Sequence, residues 1–185
     1  MAKNRDNFRI YSDLECDVFL APLGTTLPTT LDAPIAPFEE VGFLSEDGVP
    51  INREVDVTKF KAYQGASTLR VKITSDERTF TFTAAEEKPL VSELYWGHGA
   101  ATVAGGVATI DVPEAAPVAQ RAAVLQFVDG GVTKLYACEN VQITPNGEVP
   151  HATEDGTMYP FQGEIVGGFT IITDAPVFVE TDEEE

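Results

Sequence analysis

Alternating apolar and polar residues dominate the chain, and this period-two pattern is typical of half-buried β-strands. Residues 69–74 (LRVKIT) place Leu, Val and Ile on one face, and residues 79–83 (TFTFT) place both Phe rings on one face. The polar residues 75–78 between these segments are few enough for a hairpin loop. The pattern therefore predicts two paired antiparallel strands, at 69–74 and 79–83.

Glycine pairs mark the turns of two further predicted hairpins, because glycine readily adopts the positive φ that tight hairpin turns require. The turns are Gly105-Gly106 and Asp129-Gly130-Gly131. The strands that they join are 102–104 with 107–110, and 124–128 with 132–137. Shorter apolar segments predict the remaining strands, at 17–21, 41–44, 55–63, 141–144 and 168–173.

One short helix is predicted between Pro89 and Gly97. Proline suits the first helical position, and glycine suits the residue just past the end. Four apolar side chains fall on one face at helical spacing: Leu90, Val91, Leu94 and Tyr95. A helix this short is stable only when that face is packed, so we expect it to cover a sheet.

Two proline-containing stretches, 24–37 and 147–160, are predicted as long surface connections. Connections of this kind are usually functional or disordered, and we favour contact with another protein as their use. A length of 185 residues favours one folded domain. We expect an N-terminal arm (1–15), a single β domain (16–178) and an acidic C-terminal tail (179–185). The domain is expected to be mainly β, a β-sandwich or barrel with one short flanking α-helix and long loops.

The chain is strongly acidic, with 12 basic against 30 acidic residues and a formal charge of −18. The excess is concentrated in residues 90–185, which hold 2 basic and 15 acidic side chains. Proteins that grip nucleic acid neutralise phosphates with Lys or Arg, so this half is expected to repel DNA. No apolar run approaches the roughly 18–20 residues of a membrane helix. No apolar signal segment follows Lys3 and Arg5, so we expect a soluble intracellular protein.

Candidate catalytic and ligand-binding residues are few. His98 and His151 are interpreted as loop histidines, and no nucleophile motif surrounds any serine. Cys16 lies at the start of one predicted strand and Cys138 near the end of another, and both are interpreted as free thiols, although the sequence leaves their pairing open. We therefore expect no enzymatic activity, no cofactor and no bound metal.

Two acidic turns, 45–48 (SEDG) and 153–156 (TEDG), invite a calcium interpretation. An EF-hand loop needs ligands at fixed alternate positions and a closing Glu, which neither turn offers, so ordinary β-turns are favoured. Glu86 and Glu87 precede the predicted helix and are interpreted as capping residues that favour its dipole. Aromatic residues at strand positions are interpreted as core: Phe80, Phe82, Phe127, Tyr136 and Phe169.

The order of several segments resembles the major tail protein, or tail tube protein, of long non-contractile-tailed bacteriophages, especially those of actinobacteria. The segments are 18–28 (VFLAPLGTTLP), 38–49 (FEEVGFLSEDGV), 59–64 (KFKAYQ), 80–82 (FTF) and 90–97 (LVSELYWG). Each is a common strand or turn pattern by itself, and their succession over residues 16–97 carries the resemblance. Residues 98–178 share only the general character, and the GHG segment at 97–99 and the acidic C-terminus depart from the family pattern.

The resemblance implies a β-sandwich or barrel-like tail tube fold in a structural virion protein. Six subunits would form a ring, and rings would stack into a tube in the virion tail, after assembly in the bacterial host cytoplasm. Implied partners are other copies of the chain and the tape-measure, tail-terminator and distal tail proteins. Double-stranded DNA would pass through without specific binding, since an acidic lumen repels phosphates. Exposed strand edges would serve as the joints between subunits.

By the same resemblance, residues 48–65 form an extended hairpin or loop that reaches the adjacent ring. The candidate inter-ring residues are Glu46, Asp47, Arg53, Glu54, Asp56, Lys59 and Lys61. The basic members of this set would meet acidic partners on the neighbour. The alternative is a charged hairpin that lies in solvent without a partner.

Other functions stay open at this point. A monomeric β-sandwich module for carbohydrate or protein would expose aromatic residues on one loop cluster, with Trp96, Tyr159 and Phe161 as candidates. A subunit of a related bacterial secretion tube would share the same assembly physics. A hydrolase is a distant further alternative because no catalytic triad can be recognised.

Overall fold

The computed structural model describes residues 5–115, 117–152 and 156–179. Within these ranges the chain forms ten strands, two α-helices and one 3₁₀ turn at Arg5–Asn7. The strands are β1 (Asp17–Pro22), β2 (Glu39–Glu40), β3 (Ile51–Lys61), β4 (Thr68–Ala84), β5 (Thr102–Ala104), β6 (Val107–Thr109), β7 (Ala119–Asp129), β8 (Val132–Pro145), β9 (Tyr159–Ile165) and β10 (Phe169–Thr173). The helices are α1 (Pro89–Trp96) and α2 (Pro176–Val179). The expected fold class, mainly β with a short helix, is confirmed.

Seven strands follow one antiparallel path in the order β2-β1-β7-β8-β9-β4-β3, and β10 joins it by pairing with β8. One edge of β8 serves two partners, because its residues 134–138 pair with β10 and its residues 141–145 pair with β9. β5 and β6 form a separate two-stranded hairpin. Within the described chain, β3 pairs with β4 alone and β10 pairs with β8 alone, so each has one free edge.

Residues 41–45 connect the β1 and β4 edges of the main sheet and so close it into a barrel-like ring. On the β1 side, the amide of Val41 donates to the carbonyl of Val18 (2.9 Å). On the β4 side, the amide of Ser45 donates to the carbonyl of Thr83 (2.9 Å). The body of the protein is therefore closed at this seam. Among its longer strands in the described chain, β3 and β10 each have a single strand partner.

Alternate residues of the strands fill the interior, as the period of a strand requires. Phe80 and Phe82 of β4 stack with centroids 6.0 Å apart, and Phe82 stacks on Phe161 of β9 at 5.0 Å. Val91 and Leu94 of α1 are buried against the same cluster. The sequence predicted Phe80 and Phe82 as core correctly, whereas the three other predicted aromatics are only partly buried: Phe127, Tyr136 and Phe169.

The predicted helix and both glycine-turn hairpins are confirmed. Pro89 is the first residue of α1, and Gly97 follows the last at a φ of +67°, a left-handed conformation that costs glycine little. This conformation lets the Gly97 amide donate to the Glu93 carbonyl (2.7 Å), which ends the helix. The strands predicted at 17–21 and 168–173 are also present, as β1 and β10.

The predicted hairpin between 69–74 and 79–83 is wrong. β4 runs from Thr68 to Ala84 without a turn, and its residues 75–78 lie opposite residues 53–56 of β3. The polar stretch contains neither glycine nor proline, the residues that tight turns favour. Residues 75–78 are polar because β4 leaves the body of the protein here, so neither face of the strand is buried.

Two further predictions need correction. The stretch 147–160 was expected to be a connection throughout, but β9 begins at Tyr159, inside it. The strand expected at 41–44 is replaced by the two-residue β2 and by the seam at 41–45, because this segment divides its hydrogen bonds between two neighbours. The acidic turn at 153–156 and the acidic tail from 179 lie almost entirely outside the described residues.

Candidate functional site

A long hairpin projects from the barrel and is exposed on both of its faces. It consists of β3 and the first part of β4, residues 51–78, and we refer to it as the arm. All eleven residues of β3 are exposed, whereas β4 becomes buried only at Phe80. The turn residue Tyr63 at its end is 99% exposed. Hairpins without a packed face are marginal in water by themselves, so the arm has the character of a contact element.

One face of the arm is apolar although it lies in solvent. Val57 is opposite Ile73 in the strand register, and Val71 and Val55 share their face by the alternation of side chains. All four of these β-branched side chains are exposed. A bulge between Asp56 and Val57 keeps this face apolar where the register shifts. Exposed apolar side chains gathered on one face of a strand pair favour contact with another molecule, and here Lys59 lies among them, opposite Val71.

The end of the arm is basic in an acidic protein. Residues 57–75, which we call the arm tip, contain four basic residues and no acidic residue: Lys59, Lys61, Arg70 and Lys72. The other 166 residues hold the remaining 8 basic residues and all 30 acidic residues, a formal charge of −22. The arm tip therefore carries a charge opposite in sign to that of the rest of the chain.

An ion-pair network anchors the base of the arm to the barrel. Arg53 donates two hydrogen bonds to Asp76, at 2.8 and 2.9 Å, and Arg78 donates a third to the same carboxylate at 2.8 Å. Arg78 also donates to the Gly167 carbonyl (3.3 Å), and its guanidinium lies 5.8 Å from the Phe169 ring centre. The hydrogen bond from Arg53 holds the pKa of Asp76 below its ordinary value. The network fixes the direction in which the arm leaves the body.

The predicted inter-ring residues are distributed over two segments and two faces. Glu46 and Asp47 are exposed in a β-turn in which the Gly48 amide donates to the Ser45 carbonyl (3.0 Å), as the sequence predicted. The other five are all exposed on β3: Arg53, Glu54, Asp56, Lys59 and Lys61. By the strand alternation, the basic residues lie on the apolar face and the two acidic residues on the opposite face. Asp76, Arg78, Arg70 and Lys72 were not predicted, and only the pairing of β3 with β4 reveals them.

An acidic cleft of about 460 Å³ lies beside the start of β3. Five carboxylates line it: Asp13, Asp17, Glu40, Glu46 and Glu86. Apolar side chains complete its wall, among them Tyr11, Leu14, Phe43 and Leu44. These groups come from the N-terminal segment, from residues 40–48 and from the segment before α1, so the cleft forms only in the folded chain.

Lys88 and Glu86 hold one wall of the cleft in place. Lys88 forms ion pairs with Glu40 (3.1 Å) and with Glu86 (3.4 Å), and Glu86 accepts a hydrogen bond from the Phe43 amide (3.0 Å). That hydrogen bond, above all, lowers the pKa of Glu86. Glu86 was predicted to cap α1, but α1 has no side-chain cap, and Glu86 instead fixes the seam at 41–45.

Asp17 lies at the bottom of the same network and is partly buried. Its carboxylate accepts hydrogen bonds from the amides of Val18 (2.6 Å) and Gly42 (3.4 Å). Burial raises the pKa of Asp17 to about 6, because removal from water disfavours the charged form more than these hydrogen bonds favour it. Asp17 therefore joins β1 to the seam through a carboxyl group that titrates near neutral pH.

The remaining candidate groups have structural roles. The His98 side chain is buried, with Nε2 2.8 Å from the Ser92 hydroxyl and Nδ1 2.6 Å from the Gly99 carbonyl oxygen, so it pins the chain after α1. Cys16 and Cys138 are free thiols, and burial raises the pKa of Cys138 to about 12. Among the residues that the structure describes, no group of three or more His, Cys, Asp or Glu side chains is arranged to hold a metal ion.

The aromatic surface expected of a carbohydrate- or protein-binding module is not formed. Tyr159 and Phe161 belong to β9 and are only 4% and 1% exposed. Trp96 at the end of α1 is 42% exposed, which leaves one of the three candidates at the surface. In the described part of the chain, no helix combines the length and the apolar character needed to cross a membrane.

The chain is a mainly β protein, with a barrel-like body and one long exposed hairpin. The chain belongs to the phage tail tube protein family, whose model matches residues 1–180. It is therefore a structural protein of the virion tail. A chain from the virion of a native gene transfer agent particle is similar over 92% of this chain and 99% of that chain, with a TM-score of 0.41 and 9% sequence identity. No curated protein matches the sequence.

Proposed function

We propose that copies of this chain assemble into rings, six subunits to a ring, and that the rings stack into the tube of a phage tail. The observation that carries the proposal is the arm, because it is exposed on both faces, apolar on one of them and basic at its tip. In a tube built from copies of this chain, the neighbours available to each arm are other copies. Burial of the arm against such a copy removes exposed apolar surface from water.

The free strand edges supply the lateral joints of the ring. The outer edges of β3 and β10 carry backbone amides and carbonyls without strand partners in the described chain. Edge-to-edge pairing is a hazard for a monomer, but it satisfies these groups when a neighbour of the same kind is present. Contacts between different surfaces of identical subunits form a ring when the rotation from one subunit to the next completes a circle. When it does not, the contacts build an open filament.

The acidic body suits a conduit for double-stranded DNA. Outside the arm tip the chain carries a formal charge of −22, and DNA phosphates are repelled by such a surface. The four basic residues of the arm tip would be neutralised by carboxylates of a neighbouring copy and so be withheld from the DNA. The duplex would then slide through the lumen without retained phosphate contacts.

The inter-ring contact is proposed to use residues at both ends of the arm and the preceding turn: Glu46, Asp47, Arg53, Glu54, Asp56, Lys59 and Lys61. Their support is that all seven are exposed. The proposed further partners are the tape-measure, tail-terminator and distal tail proteins, with assembly in the host cytoplasm. Residues 16–178 are proposed to act as one domain, between the N-terminal segment 1–15 and the acidic tail 179–185.

Negative-stain electron microscopy of the purified protein tests the proposal. The protein is imaged over a concentration series, alone and with tail-initiating components, at low and at high salt. We expect rings or hollow tubes, with assembly weakened by salt because the contact pairs a basic tip with an acidic body. A species that stays monomeric under all of these conditions, and that binds glycans on an array, would overturn the proposal in favour of a binding module.

A further inference from the structure

We propose that the arm tip of one copy inserts into the acidic cleft of a second copy. This inference rests on the proposed assembly and names the surface that receives the arm. It follows from three properties of the described residues: the charge of the two surfaces, their apolar content and the distance between them within one chain.

The charges of the two surfaces are complementary. The arm tip presents four basic side chains and no acidic one. The cleft is lined by five carboxylates, and Lys88 pairs with two of them, Glu40 and Glu86. Glu46 is exposed at the rim of the cleft. Complementary potentials of this kind select the register of an interface and accelerate encounter.

Both surfaces also carry apolar groups that gain by contact. At the arm tip, Phe60 and Tyr63 are exposed, and the turn that holds Tyr63 is free of the barrel. In the cleft, Leu14 and Phe43 are exposed apolar side chains in the wall. Aromatic side chains that enter a pocket of the partner supply most of the energy in many protein interfaces. A cleft of about 460 Å³ has the size of a pocket that encloses several such groups.

The contact must form between copies. The cleft borders Gly48, three residues before β3 begins, whereas Lys61 and the turn that follows it lie at the far end of β3. Eleven residues of extended strand span roughly 35 Å, so the arm holds Lys61 and this turn well away from the cleft of the same chain. Tip and cleft are different surfaces of the chain, so each copy that receives an arm also offers one. Such a contact is heterologous, so it continues along a filament when its rotation does not close a ring.

Charge substitutions test whether the cleft is the receptor. The tip variant Lys59→Glu/Lys61→Glu should raise the protein concentration needed for tube formation about ten-fold or more. Glu46→Lys in the cleft should raise it several-fold, whereas Glu148→Lys, an exposed acid outside the cleft, should leave it unchanged. Combining Lys61→Glu with Glu46→Lys should recover part of the loss. Equal behaviour of Glu46→Lys and Glu148→Lys would overturn the inference.

Cross-linking gives an independent readout. Tyr63→Cys and Glu46→Cys are made separately in a Cys16→Ala background, mixed at an assembling concentration and treated with a short thiol cross-linker. We expect a covalent dimer in the mixture and none when Glu148→Cys replaces Glu46→Cys. If the wild type forms tubes but the mixture of Tyr63→Cys and Glu46→Cys yields no covalent dimer, the docking is overturned and the tube proposal stays intact. Failure of the wild-type chain to assemble under all conditions would instead overturn the proposed function and the docking with it.

Discussion

Gly163 of β9 lies directly opposite Phe80 of β4, and the ring of Phe80 occupies the space in which a side chain on residue 163 would begin. An added Cβ would overlap Cζ of that ring and lie 2.5 Å from its Cε1, closer than real Cβ atoms approach other carbons. Gly163 has an ordinary negative or extended φ, so the requirement for glycine here is one of space and not of backbone conformation. The ring of Phe80 can be buried here because β9 has no side chain at this position.

Gly163→Ala should therefore destabilise the folded protein. Insertion of one methyl group into a packed core costs about 1–3 kcal/mol, because the ring and the strand must shift. Thermal unfolding at a concentration below assembly should show a lower midpoint for Gly163→Ala, by several degrees. Gly99→Ala is the matched control, since a Cβ at Gly99 meets no atom within 4 Å. Phe80→Leu combined with Gly163→Ala should lose less stability than the two single changes together predict.

Asp17 makes the stability of the barrel depend on pH in an unusual direction. Burial raises its pKa to about 6 from an ordinary value of 3.8, so between these values the folded chain binds more protons than the unfolded chain. This contribution to the free energy of unfolding is complete below pH 4 and is lost as the pH rises through 6. Glu40 raises this pKa further and Lys88 opposes it, but burial is the largest cause.

Asp17→Asn removes this titration and should make the protein more stable than the wild type at pH 8. The difference should shrink as the pH falls through 6 toward 3.8, because the wild-type carboxyl is protonated in both states only below that value. Urea unfolding at intervals between pH 4.5 and 8 measures the effect. Glu114→Gln, which removes an exposed carboxylate, should show no such trend. A difference between Asp17→Asn and wild type that is constant with pH would contradict the assignment.

Asp76→Asn should loosen the base of the arm without unfolding the barrel. The substitution removes the shared anion of Arg53 and Arg78 and leaves two guanidinium groups side by side. The network is exposed, so the midpoint of thermal unfolding should hardly change. Hydrogen exchange of the β3 amides should accelerate, since their pairing with β4 is the main restraint on them. Glu77→Gln, the neighbouring acid on the other face, should leave that exchange rate as it is in the wild type.

The sequence predicted most of the strands that pack one face on the core. β1, β7, β8 and β10 each show apolar alternation or an apolar run, and glycine pairs located two turns correctly. The alternation in β9 was also present, with Tyr159, Phe161 and Ile165 all buried, but Pro160 obscured it. Proline normally ends a strand, and here it is tolerated at the second position.

The arm shows why period two alone is insufficient. Its polar residues 75–78 looked like a turn, because a strand that leaves the body has no buried face to impose a pattern. The acidic cleft could not be predicted from the sequence. Its lining residues Tyr11, Glu46 and Glu86 are distant in the chain and come together only in the folded protein, next to the seam. The excess of positive charge at residues 57–75 was visible in the sequence, but only the pairing of β3 with β4 shows that it forms one tip.

A variant with a shortened arm tests whether the arm is required for assembly of the tube. Asp56 and Ser75 are opposed in the register, so replacing residues 57–74 by Asn-Gly should close a two-residue hairpin and keep the barrel folded. Unfolding below the assembling concentration confirms the fold, and electron microscopy compares this variant with the wild type. We expect hollow tubes from the wild type and only unassembled, folded protein from the shortened chain. Tubes of normal length and number from the shortened chain would contradict it.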